Sequence, residues 1–181
     1  MKDDNMNFKK IVDDYRITYH TFEKYEERIW TAEINIIELY KQIGEIITTK
    51  DNNKEQYKDE LLDTLCQIFR LMDYYKYDIY KAYNMSKRIY VADDNDILLK
   101  LIENIGSLSK CIMIKEKYYF KTRVNEPKYN ISDEKMMNCF SKHIAYVLKM
   151  ADKEQIDLNK VSDNLREIDR KYFEIIEKEN K

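Results

Sequence analysis

Two glycines and one proline are all that punctuate these 181 residues. Tight turns and sheet-rich folds draw on both residue types, whereas a helix runs on without them. The scarcity therefore specifies an all-α chain before any periodicity is counted. A charged fraction of 36% beside 44% hydrophobic residues suits amphipathic helices, and the length is enough to bury a substantial core.

The hydrophobic periodicity divides the chain into helices. Phe8, Ile11, Val12, Tyr15 and Tyr19 recur at helical spacing along a first segment over about 8–30. Thr31 with Glu33 opens a second, striped by Ile36, Leu39, Tyr40, Ile43 and Ile47, before the polar loop Thr48 to Asn53. Leu61, Leu65, Ile68 and Met72 mark a third over about 54–75, and Asp78 caps a fourth reaching about 90. Asp93 or Asp94 caps a fifth over about 95–115. An irregular stretch containing Pro127 follows, then a helix from Ser132 to about 153 and a last one capped by Asp157.

The two halves align with each other. Both glycines fall at matching places, in N-I-I-E-L-Y-K-Q-I-G-E-I ending at Ile46 and I-L-L-K-L-I-E-N-I-G-S-L ending at Leu108. Asp78-Ile79-Tyr80-Lys81-Ala82 likewise matches Asp157-Leu158-Asn159-Lys160-Val161. A helical glycine costs about 1 kcal/mol relative to alanine, so a glycine at the same place in both copies implies close helix packing there. We read a tandem repeat, residues 1–91 and 92–181, packed as one globular pseudo-dimer.

Carboxylates distinguish the first copy. Glu38, Gln42 and Glu45 lie at i, i+4 and i+7 on one helix, and Glu60 and Asp63 at i and i+3 on the next. Antiparallel packing turns the two sets toward each other. Crowded carboxylates repel and are costly to desolvate without a cation, and a hard cation with oxygen ligands means Mg²⁺ first, with Mn²⁺ as its substitute. In the second copy Lys100, Asn104, Ser107, Cys139 and Lys142 stand at the five matching positions, so its acids are missing. On composition alone such acids are also what a solvated helix face carries.

These residues resemble the MazG-like all-α nucleoside triphosphate pyrophosphohydrolases. The family pattern ExxE, a spacer, then ExxD has counterparts in Gln42-Ile43-Gly44-Glu45-Ile46 and Glu60-Leu61-Leu62-Asp63-Thr64-Leu65, with 14 residues between Glu45 and Glu60. Gln42 replaces the first glutamate. Arg28-Ile29-Trp30-Thr31 is similar to the R-x-W-[ST] opening of some members.

The resemblance implies Mg²⁺-dependent cleavage of a nucleoside triphosphate to the monophosphate and pyrophosphate. It implies Glu45, Glu60 and Asp63 as ligands, Gln42 as a neutral ligand and Glu38 as reserve. Asn84, Lys87 and Arg88 would hold the outer phosphates, and Trp30 would stack on a base. The assembly expected is a monomeric pseudo-dimer or a homodimer. The alternative is a helical module that keeps the fold for nucleotide sensing or protein contact after losing part of its site.

Other partners are argued against. A net charge of −2 lacks the basic excess of a dedicated nucleic-acid binder. No apolar run approaches the roughly 20 residues of a membrane span, and Met1-Lys2-Asp3-Asp4-Asn5 is no signal region, so a cytoplasmic protein is expected. Cys66, Cys111 and Cys139 are odd in number and lack CxxC pairing, which reads as reduced, structural cysteine. His20 and His143 read as ordinary helix residues.

Overall fold

The caps read from the sequence start real helices. Thr31 accepts a hydrogen bond from the Ile34 amide, Asp78 from that of Lys81, and Ser132 from that of Lys135. In the computed structural model, which describes residues 7–25, 30–91, 96–118 and 132–179, seven helices and no strands form an all-α bundle. They are α1 (Phe8–Tyr25), α2 (Ala32–Thr49), α3 (Lys54–Tyr74), α4 (Ile79–Ser86), α5 (Ile97–Lys115), α6 (Asp133–Lys153) and α7 (Leu158–Glu179). The expected caps at Asp93 or Asp94, Arg28 and Ile29 of the opening motif, and Pro127 lie outside the described residues.

α3 and α6 run through the middle. Each buries residues on several sides, α3 with Leu61, Leu65, Ile68 and Met72 among them, and α6 with Phe140, Ile144 and Val147. α2 packs along α3 and α5 along α6, while the two central helices cross each other. α4 leaves α3 to lie on α6. α7 leaves α6 to lie on α3 and α1. All seven helices contribute to one continuous apolar cluster, from Phe8 on α1 to Val161 on α7.

α2 turns most of its expected stripe inward, with Ile36 packed against the core, but is rotated somewhat from it. Leu39, Ile43 and Ile46 are buried, but Tyr40 and Ile47 are exposed. Periodicity could not choose, because apolar residues surround this helix. Asn35 decides the matter: it is buried and accepts a 2.8 Å hydrogen bond from the Gln67 amide of α3. A buried amide pair satisfied in only one register fixes the rotation of both helices.

The glycines do not mark close packing. A methyl group added at Gly44 or Gly106 would meet no atom within 4 Å. Both lie on the exposed sides of α2 and α5, where the absent side chain brings no helix closer.

Candidate functional site: an acidic and aromatic cavity

Four helices, α1, α2, α3 and α7, surround a cavity of about 340 Å³. From α2 come Glu38 and Gln42, from α3 Asp63 and Arg70, and Trp30 stands at the entry to α2. From α1 come Asp14, Tyr15, Tyr19 and Phe22, and from α7 Arg166 and Asp169. Trp30 does line the cavity, but its ring faces a protein cation. The Arg70 guanidinium lies 3.8 Å from the Trp30 centroid and 4.5 Å from that of Tyr19, a cation–π sandwich.

Antiparallel packing of α2 and α3 brings the two acidic sets together. With its amide nitrogen turned toward α3, Gln42 donates to Glu60 Oε2 at 2.5 Å and to Glu45 Oε2 at 3.2 Å. Gln56 Nε2 also donates to Glu60, at 3.2 Å. Burial pushes the Glu60 carboxyl above the ordinary range, and the Glu45 carboxylate beside it adds to the rise. Glu45 and Glu60 lie outside the cavity wall, behind Gln42. Lys41 approaches Glu38 at 3.6 Å and Glu45 at 3.9 Å.

Asp63 is the focus of the negative charge. Burial, then the neighbouring carboxylates Glu60, Asp59 and Asp169, push it up to about 7. Asp169, also lifted by burial, is hydrogen-bonded by Thr18. Asp14 behaves in the opposite way. Burial works against its charge, but hydrogen bonds from Lys10, Ser162 and Arg166 outweigh that and hold it below the usual carboxylate range. The Ser162 bond is 2.8 Å and the Arg166 bond 2.6 Å, so this carboxylate ties α1 to α7 along the cavity floor.

The expected phosphate contacts lie elsewhere. Asn84, Lys87 and Arg88 are exposed on or just after α4 and do not line the cavity; the Lys87 ammonium rests 4.2 Å from the Tyr83 ring. α4 packs against α6, and its Tyr83 stacks on Phe8 at the start of α1. Two arginines line the cavity: Arg70, held against Trp30 and Tyr19, and Arg166, which stands where Lys87 does when the caps Asp78 and Asp157 are aligned. Asp14, Arg166 and Asp169 were not singled out from the sequence. The cap alignment was the one signal that pointed to Arg166; nothing local marked the other two.

The donor chemistry suits a hard divalent cation: carboxylate oxygens of Glu38, Asp63 and Asp169 and the amide of Gln42, in a site where crowding already disfavours bare negative charge. As the side chains stand, no group of three or more His, Cys, Asp or Glu among the described residues converges on one ion position. Also among the described residues, no helix is long and apolar enough to cross a membrane. No family model matches the chain, and no curated protein or solved structure is significantly similar to it.

Proposed function

We propose that this chain is a Mg²⁺-dependent hydrolase that cleaves nucleoside triphosphates to monophosphates and pyrophosphate, with Asp63 at the centre of the reaction site. The observation that carries this reading is the cavity itself, where acids of α2 and α3, an aromatic wall and an arginine of α7 line one open cleft. Its volume lies at the small-ligand end of the usual range of about 300–1,000 Å³. A nucleotide needs all three kinds of group: oxygen donors for a cation, a flat surface for the base, and a basic side chain for phosphate.

Asp63 and Glu38 would hold the cation from opposing helices, with Gln42 beside them and Glu60 behind it. The cation would neutralise phosphate charge and acidify a bound water. Arg166, anchored on Asp14, would steady the phosphate tail. The Trp30–Arg70–Tyr19 sandwich would offer a planar edge to the base. Supporting the tandem-repeat reading, α4 of the first half lies on α6 while α7 of the second lies on α3, a reciprocal exchange. That exchange would make the chain a self-sufficient monomeric pseudo-dimer, with the cavity built from both halves.

One observation favours a second reading, a nucleotide-sensing module without turnover: Gln42 replaces a family glutamate, and Lys41 already neighbours Glu38 and Glu45. Product analysis on a panel of ribo- and deoxynucleoside triphosphates with Mg²⁺ separates them. We expect monophosphate and pyrophosphate, abolished by Asp63→Asn and unchanged by Lys87→Ala. Binding without product leaves the sensing module, and neither binding nor product rejects both.

A further inference from the structure

A second cleft, of about 540 Å³, opens where the link from α3 to α4 meets the end of α5 and the start of α6. It shares no residue with the acidic cavity, and its volume suits a small molecule. Two of its walls are aromatic and held in place. Tyr75 donates a 2.6 Å hydrogen bond to Glu116, and its ring meets that of Tyr74 edge-on. Tyr77 donates to Asp133 at 2.5 Å, and its ring packs edge-on against the buried Phe140 with centroids 5.4 Å apart. Met85 of α4 and Met137 of α6 add adaptable apolar surface.

Three lysines and three acids line the cleft, but they are not equally committed. Asp78 accepts from the Lys81 amide as the cap of α4. Asp133 accepts from the Tyr77 hydroxyl and, at 3.3 Å, from the Lys115 ammonium, which also donates to the Tyr77 hydroxyl at 3.2 Å. The Lys115 charge is thereby matched, and the two carboxylates are spent on structure. Lys76 and Lys81 differ: among the described residues their ammonium groups make no ion pair or hydrogen bond. Glu134 is the one lining acid left to oppose them.

We propose that this cleft binds a small organic anion, an aromatic ring carrying a phosphate or carboxylate group. The ring lies against Tyr75, Tyr77 and the two methionines, and the anionic group meets Lys76 and Lys81. A neutral aromatic would leave both ammonium groups without a partner, and a bare inorganic anion would leave the aromatic and thioether surface wet. A molecule with both parts uses the whole lining. An organic cation is disfavoured, because Lys115 already holds the place beside Asp133, 5.2 Å from both tyrosine centroids. The inference is independent of the catalytic reading, since the two sites have no residue in common.

The test is titration of the full chain, labelled at its methionine methyl groups, with the aromatic anion 1-anilinonaphthalene-8-sulfonate. Met85 and Met137 line this cleft and no methionine lines the acidic cavity, so the methyl signals report which site fills. Met85→Leu and Met137→Leu assign those signals. We expect one probe per chain, shifts centred on these two methionines, and displacement by phenyl phosphate or benzoate but not by benzyl alcohol. The stronger of the two competitors names the anionic group. Lys76→Gln and Lys81→Gln, both at exposed side chains, should each weaken binding about fivefold, while Lys87→Gln, outside the cleft, should leave it unchanged. Absence of saturable binding, shifts at other methionines only, equal displacement by benzyl alcohol, or affinity indifferent to both lysine substitutions would overturn the proposal.

Discussion

Acid should weaken this fold through His143, at the crossing of α6 and α3. The side chain is fully buried, 0% exposed. Neither of its ring nitrogens, nor the Thr64 hydroxyl, makes a hydrogen bond of ordinary geometry among the described residues. Burial drives the imidazole pKa from 6.5 down to about 3, only slightly opposed by the Thr64 backbone. Above the unfolded value the ring is neutral in both states and costs nothing electrostatically. As pH falls below it, the unfolded chain takes up a proton that the folded chain refuses, so stability declines until the folded value is reached. From about pH 7 to about pH 5 this linkage amounts to about 2 kcal/mol.

Asp63 runs the other way in the same window. Its folded pKa of about 7 lies above the ordinary aspartate value of 3.8, so the folded state takes up the extra proton and gains stability as pH falls. The wild-type profile alone can therefore look flat. The informative quantity is the difference between wild type and His143→Leu, by urea unfolding at a series of pH values. Leucine fills a similar volume and removes two unsatisfied polar atoms, so the variant should match or exceed wild-type stability near neutrality. Relative to wild type it should then gain about 2 kcal/mol on going to about pH 5. A constant difference between the two proteins across this range would refute the buried neutral imidazole.

Gly44→Ala and Gly106→Ala should each stabilise the protein by about 1 kcal/mol in urea unfolding, since both glycines are helical with open space where the methyl would go. A loss of stability would mean that another surface approaches them. Asp14→Asn strips the anchor shared by Lys10, Ser162 and Arg166 and should cost about 2 kcal/mol, less than a fully buried pair because Lys10 and Arg166 are partly exposed. Equal denaturation midpoints for the two proteins would show that α1 and α7 hold without it. Trp30 is the only tryptophan, so saturating nucleoside triphosphate with Mg²⁺ should change its fluorescence. An unchanged spectrum at a concentration where calorimetry shows binding would place the ligand elsewhere.

How far the molecule could be read from its sequence follows from which contacts are local. Helix starts at Thr31, Asp78 and Ser132 were legible because a cap and its first turn lie within four residues. The rotation of α2 was not, since it depends on Asn35 meeting Gln67 across 32 positions of sequence. The same distinction runs through the site. Glu38, Gln42 and Asp63 were found because helical spacing and one short loop bring them together, and Trp30 because it adjoins their helix. Asp14 and Arg166 meet across 152 positions, and no periodicity announces such a pair. That Lys87 lies away from the cavity has the same origin. Its place after a capped helix was read correctly, but which half that helix packs on is a tertiary choice, and α4 goes to α6 while α7 supplies the cavity. Here the position matching Lys87 is Arg166, which lines the cavity while Lys87 does not.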